Sequence, residues 1–241
     1  MPSPFFLRKP RFALVYVLGA WLFLVAHTTQ QTLRLGIAFV LLGELIRLWA
    51  NGYVGHRKVG RTKLHLKESK IGQLITAGPY AFVRHPLYFG TFLIGAGFCV
   101  IVGDLWLSLA ALVFFFRVYL RKMWEEERRL MHEWGPAYRA YHRRVPRWLP
   151  RWRRYARRHG AWSWLGIGAS REWKTLIWLT VLLIVLYFRM EFIQEHEPFF
   201  DGRPILRITL LVVLLGLVLT DVLIELIRRR PRRTTPPAQA T

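Results

Sequence analysis

Six apolar runs, at 12–27, 33–50, 88–102, 105–121, 174–189 and 205–227, recur along the chain, and basic connections separate alternate pairs of them. A backbone surrounded by hydrocarbon must satisfy its own N–H and C=O groups, so runs of this length and polarity fold as helices. The expected fold class is therefore all-α: a polytopic transmembrane helical bundle of about six spans. The loop from Asn51 to Thr76 carries His56, Arg57, Lys58, Arg61, Lys63, His65, Lys67 and Lys70, which marks it as cytoplasmic. Every basic loop falls on that side, so both termini are expected to be cytoplasmic. The first run follows Arg8, Lys9 and Arg11 in the manner of a signal peptide, yet no convincing small-residue cleavage site follows it.

The formal charge of +22 in 241 residues would point to nucleic acid in a soluble chain. Here the arginines lie beside apolar runs, where the positive-inside rule accounts for them, and no nucleic-acid partner is expected. The only cysteine, Cys99, lies inside an apolar run, so neither a disulfide framework nor a cysteine metal cluster is available.

Between the basic loop and the third run stands Gly78-Pro79-Tyr80-Ala81-Phe82-Val83-Arg84-His85-Pro86-Leu87-Tyr88-Phe89-Gly90. A following proline biases His85 toward extended backbone, and Pro86 suits a first helical position, so a helix is expected to start near Leu87. Its free N–H groups and positive dipole end, beside Arg84 and His85, suit a small anionic group such as a carboxylate. Gly90, one turn in, would let a ligand approach the backbone closely. Gly103 and Asp104 leave only a tight turn between the third and fourth runs, which must form a hairpin.

Charges also enter the runs themselves. Glu44 and Arg47 sit three residues apart in the second run, either as a helix-end pair with a snorkelling arginine or as functional groups at membrane depth. Beyond Arg121 and Lys122, apolar residues of the stretch 123–134 recur at helical spacing, and Glu127 interrupts that face while Glu126 borders it. A glutamate on a buried face needs a donor or cation, so Glu127 is either a ligand contact or an ion pair with Lys122 or Arg84. Glu125, by contrast, can pair with Arg128 and Arg129 on a solvated face.

Gly135-Pro136 ends that helix, and 137–150 resumes as an amphipathic, interfacial piece closed by prolines, suited to lie as a lid at the membrane surface. The expected organisation is a core at 1–150, a basic aromatic interfacial segment at 151–173 resting on anionic headgroups of the cytoplasmic face, and a third region at 174–241. That last region would hold two additional spans and a basic, disordered tail.

Taken in order, Arg47-Leu48-Trp49-Ala50, the Gly78 to Gly90 motif, Glu126-Glu127-x-x-Leu130, Trp134-Gly135, Tyr138 and Val145-Pro146 resemble the isoprenylcysteine carboxyl methyltransferases and the related phospholipid methyltransferases. The resemblance covers roughly 42–150. It implies a membrane-embedded bundle that binds S-adenosyl-L-methionine from the cytosolic side, with Arg84, His85, Tyr88, Gly90, Glu126 and Glu127 lining the cofactor pocket. Arg84, His85 and the helix start would hold the cofactor's carboxylate, and Glu126 or Glu127 its ammonium and ribose hydroxyls. Tyr80, Tyr88 or Tyr138 would face its sulfonium.

Methyl transfer from a sulfonium needs alignment and exclusion of water, and no catalytic metal is expected. The acceptor implied is lipid-borne or hydrophobic, most like the carboxylate of an isoprenylated cysteine. A phospholipid amine is the alternative, and only an amine would need a base, for which His85 and Glu127 are the candidates. A nicotinamide-dependent reductase is remote, because no glycine-rich dinucleotide fingerprint is present. A non-enzymatic scaffold, with Arg84, His85 and the glutamates neutralising one another, is the competing class. The site of action would be the cytoplasmic membrane in a prokaryote and the endoplasmic reticulum in a eukaryote. One departure from the family pattern is Lys122, where an arginine is often found.

Overall fold

The computed structural model describes residues 26–63, 74–170, 172–196, 198–200 and 202–229. The expected span at 12–27, apart from its last two residues, lies outside them, as do 64–73 of the basic loop and the tail from 230. Among the described residues the chain is helical, with no strand. It divides into two compact units, Met1–Trp173 and Lys174–Thr241.

In the first unit, α1 (Gln30–Lys63) and α2 (Pro86–Val102) run antiparallel. Glycines set their separation. A Cβ on Gly43 would stand 2.5 Å from the Gly90 carbonyl oxygen, and one on Gly97 would stand 2.6 Å from that of Gly36. Each pair brings backbone against backbone, the usual device for packing helices that have no hydrophobic gain on association in lipid. The connection to α3 (Leu105–Arg144) is the tight turn expected. Gly103 takes the left-handed conformation at φ 72°, and the Asp104 carboxylate caps the next helix by accepting from Leu107 N at 2.8 Å.

The α3 helix runs unbroken to Gly135, whose φ of 46° and ψ of −118° bend the chain before Pro136. At 1.5 Å per residue, Glu127 lies about 33 Å along the axis from Leu105, more than the roughly 30 Å of a hydrocarbon core. The first part of the helix is apolar and exposed, with Trp106 81% and Phe114 71% accessible, and the later part carries the charged residues.

The stretch after α3 folds back along the Thr76–Arg84 segment. Arg84 N donates to Pro146 O at 2.9 Å, Arg151 N to Phe82 O at 3.0 Å, Tyr155 N to Ala81 O at 3.0 Å, and Thr76 N to His159 O at 2.9 Å. Ser163 N reaches Gly52 O at 2.9 Å on α1, just before the short helix α4 (Trp164–Ser170). The buried side chains of Ala81, Tyr138, Tyr141, Val145 and Tyr155 form the core under this strap. Residues 151–163 are thus fastened to the loop that carries Arg84 and His85, a role their run of arginines conceals.

The second unit is formed by α5 (Glu172–Arg189) from Lys174 onward, a π turn at Met190–Gln194, and α6 (Pro204–Arg229). Both helices meet the length and apolarity needed to cross a membrane, over Glu172–Ile193 and Pro204–Leu226. Lys174 Nζ pairs with Asp221 at 3.4 Å and Glu225 at 3.0 Å, while Arg207 Nε pairs with Glu191 at 2.6 Å, so each end of the hairpin carries its own charge pairing. The Tyr187 hydroxyl also donates to Glu191. In the first unit α2 is apolar but 17 residues long, and α1 carries Arg34, Glu44 and Arg47 within its apolar run.

Candidate functional site

The helix start at Pro86 is one residue ahead of the expected Leu87, with His85 at its N-cap at φ −123° and ψ 62°, short of the extended backbone expected before a proline. That turn points Arg84 and His85 at the charged later part of α3. Glu127 receives them. Arg84 Nη1 lies 2.9 Å from Oε1, His85 Nε2 lies 3.0 Å from the same oxygen, and His142 Nε2 lies 3.5 Å from Oε2. From the strap, Arg147 donates through Nε to Oε1 at 3.0 Å and through Nη2 to Oε2 at 2.6 Å. Two guanidiniums and two imidazoles therefore converge on one buried carboxylate.

Burial by itself would push the Glu127 carboxyl up. The hydrogen bonds from His85 and Arg147 and the charge of Arg84 outweigh it and hold the group at about 2. An ionised carboxylate only accepts, so His85 Nε2 carries the proton it shares with Glu127. His142 is pushed below 6.5, first by burial and then by Arg84. The Tyr138 hydroxyl is pushed up to about 12 by burial and by Glu127, against the opposing charge of Arg84. Glu126, at 39% side-chain exposure, sits on the rim with Oε2 3.9 Å from His85 Nδ1. It is the second carboxylate on this cluster, but too far for a hydrogen bond.

Arg84 Nε, the Tyr138 hydroxyl and Trp148 Nε1 are buried without a well-formed hydrogen bond, the Arg84 guanidinium lying beside the Tyr138 hydroxyl. Arg84 Nη1 meets Glu127 as an ion pair but misses hydrogen-bond geometry. Buried donors left unmatched cost on the order of 1–3 kcal/mol each, and they mark where an oxygen-bearing ligand would be accepted.

Of the residues expected at the site, Arg84, His85, Glu127 and Tyr138 come together, with Glu126 on the rim. Tyr88 joins them through its ring, 5.6 Å from that of His85. Tyr80 lends its carbonyl to the Tyr141 hydroxyl at 2.7 Å. Gly90 faces elsewhere, against Gly43 and 2.7 Å from the Arg47 Cγ for a built Cβ, so its missing side chain serves helix packing. Lys122 does not meet Glu127 but lies 4.9 Å over the Tyr119 ring. Glu125 pairs backward with Arg121 at 3.4 Å rather than forward with Arg128 or Arg129.

Nothing in the local sequence singles out Arg147, His142 and Trp148, because they follow a helix break within a stretch where basic and aromatic residues abound. Only the Val145-Pro146 stop signals that the chain turns back. A second buried cluster was half legible. Arg47 Nε pairs with Glu44 at 3.3 Å, as the three-residue spacing allows, but Nη2 also meets Glu172 at 2.7 Å and Nη1 donates to Thr91. Asn51 Nδ2 donates to Glu172 at 2.6 Å. No local spacing links residue 47 with residue 172. An aromatic groove lined by Leu48, Trp49, Tyr53, Trp162, Trp164 and Ile167 contains none of the charged groups around Glu127.

Comparison with known proteins bears on the same region. Residues 31–135 match the family described as phospholipid methyltransferase. The chain is 28% identical over 143 residues to a protein-S-isoprenylcysteine O-methyltransferase of Schizosaccharomyces pombe, covering 58% of this chain and 54% of the relative. It is 29% identical over 111 residues to protein-S-isoprenylcysteine O-methyltransferase B of Arabidopsis thaliana, covering 46% and 55% respectively. The chain thus spans about half the length of the curated relatives it matches. No solved structure matches it significantly. Residues 31–135 match the phospholipid methyltransferase family, in agreement with the resemblance that the motifs around Arg84 and Glu127 carry.

Proposed function

We propose that this chain is an integral membrane enzyme that transfers a methyl group from S-adenosyl-L-methionine to a lipid-borne or hydrophobic acceptor, most like the carboxylate of an isoprenylated cysteine. The observation that carries this reading is the convergence of Arg84, His85, His142 and Arg147 on Glu127 while Arg84 Nε and the Tyr138 hydroxyl stay buried without a well-formed hydrogen bond. Two guanidiniums with spare donors, and Glu126 beside them, fit a small molecule that carries both a carboxylate and an ammonium. Arg84 and Tyr138 would hold the cofactor's carboxylate, Glu126 on the rim would take its ammonium or ribose hydroxyls, and Tyr88 would offer an aromatic face to its sulfonium. The Glu127 carboxylate is so fully engaged by protein cations that its role is to fix those cations in place.

When bound, the cofactor supplies an electrophilic methyl: an acceptor oxygen forms the new C–O bond as the methyl–sulfur bond breaks and its electron pair stays on sulfur. A carboxylate acceptor needs no deprotonation, so the chain has only to align it and exclude water. The membrane frame of the reading is about six spans with cytoplasmic termini, a core at 1–150, a basic segment at 151–173 over anionic headgroups, and two further spans at 174–241. It is supported by the exposed apolar faces of α1, α3 and α6 and by the two helices long enough to cross a bilayer. The site would open to the cytosol, from the plasma membrane of a prokaryote or the endoplasmic reticulum of a eukaryote.

Methylation of a phospholipid amine is the second reading, favoured by the description of the family that residues 31–135 match. Incubating membranes that contain or lack the protein with methyl-labelled S-adenosyl-L-methionine, then treating extracts with mild base, separates the two. Label released as methanol indicates an ester, base-stable label in headgroups indicates an amine, and no protein-dependent label defeats both.

A further inference from the structure

A row of aromatic rings leads away from the charged cluster along α2 and α3. Tyr88 lies 5.6 Å from His85 and 5.2 Å from Tyr119, which stacks on Phe115 at 4.1 Å. Phe115 lies 6.3 Å from Phe92, and Phe92 meets Trp148 edge-on at 6.0 Å. Trp148 also stacks on Phe116 at 4.9 Å. Its neighbour Arg147 returns to Glu127, so a single dipeptide of the strap caps the aromatic row and closes the ion cluster. At the end of that row the Trp148 Nε1–H is buried with no acceptor.

We propose that Trp148 is a specificity-determining residue whose indole N–H donates to an oxygen of the methyl acceptor, selecting a carboxylate carried on a long apolar chain over an amine. This rests on the methyltransferase reading and extends it to a residue outside the 31–135 match. The chemistry of the donor makes the choice. An indole N–H can only donate, and an ammonium has no lone pair to receive it. A neutral amine has one lone pair, which bonding to Trp148 would withdraw from attack. A carboxylate has two oxygens, so one can accept from Trp148 while the other attacks. The guanidiniums of Arg84 and Arg147 beside Glu127 favour the same anion, and the rings from Tyr88 to Phe116 supply apolar surface next to Trp148.

The test uses the purified full chain in micelles, S-adenosylhomocysteine as the binding probe, and two acceptors, an N-acetylated S-prenylcysteine and phosphatidylethanolamine vesicles. Trp148→Phe keeps the ring and removes the N–H. It should lower kcat/KM for the prenylcysteine about tenfold or more while S-adenosylhomocysteine affinity stays within twofold. Trp148→His, which restores a ring donor, should recover part of the loss. Unchanged transfer by Trp148→Phe, equal loss in both variants, or wild-type transfer to the amine alone overturns the proposal and leaves methyl transfer standing. Wild-type protein that binds no S-adenosylhomocysteine and methylates neither acceptor defeats the underlying reading instead. If Trp148→Phe is not recovered folded, wild-type affinity decides. The prenylcysteine should bind at least tenfold tighter than its analogue lacking the carboxyl group, and equal affinities overturn the proposal.

Discussion

Arg147 grips both oxygens of Glu127, Nε on Oε1 at 3.0 Å and Nη2 on Oε2 at 2.6 Å, and so latches the strap after α3 to the helix it has just left. The fork geometry makes this contact specific to arginine. Removing the carboxylate leaves Arg84 and Arg147 facing each other without their counter-ion. Glu127→Gln should therefore cost about 3 kcal/mol or more in stability, measured by denaturant titration in micelles. Arg147→Lys should cost less, since the charge stays and only the fork is lost.

The pH dependence of the latch has a defined sign. Glu127 is held at about 2 against an ordinary value of 4.5, so its stabilisation is complete above pH 4.5 and is lost as pH falls from there toward 2. The gap in melting temperature between wild type and Glu127→Gln should close across that window. His142 works at higher pH. Because its folded value lies below 6.5, protons bind the unfolded chain more readily, and stability falls as pH drops below 6.5. His142→Gln should flatten the melting curve in that range, and an unaltered slope would remove His142 from the titration.

The glycine contacts between α1 and α2 give a paired prediction. Gly43→Ala puts a Cβ 2.5 Å from the Gly90 carbonyl oxygen, and backbone cannot swing aside as a side chain would. It should lower stability by about 1–3 kcal/mol. Gly95→Ala, on α2 with nothing within 4 Å of the new methyl, should be neutral or stabilising. Thermal melts of the two variants check both.

Chain ends test the strap. A chain stopped at Pro150 loses the backbone bonds from Arg151 to Phe82, Tyr155 to Ala81 and Thr76 to His159, the bond from His159 N to Thr76 Oγ1, and Glu172 on Arg47. A chain stopped at Trp173 keeps them. The shorter one should melt well below the longer or fail to fold, and equal melting would show that 151–173 adds nothing to the first unit.

How much of this was legible in the sequence depended on distance along the chain. The Gly103-Asp104 turn, the helix start after His85 and the Glu44–Arg47 pair are encoded within a few residues, and the structure contains each of them. The meeting of Arg84 with Glu127 was readable as one of two alternatives, because a buried glutamate demands a cation and few were within reach. Arg147 and Glu172 were not readable. Each is one charged residue among many, and it becomes a partner only because Gly135 bends α3 and the strap carries the chain back along the Thr76–Arg84 segment. At Gly90 the local signal suits a ligand's approach, while α1 meets the side-chain face with Gly43 and Arg47.

On the proposed reading, the cations gathered by Glu127 form a cofactor pocket. Calorimetric titration of the purified full chain with S-adenosylhomocysteine tests it most directly. Saturable binding of one molecule per chain is expected, weakened at least tenfold in Arg84→Gln. Heats no larger than dilution for a monodisperse, cooperatively melting wild-type protein would contradict it and leave the cluster as a structural ion network.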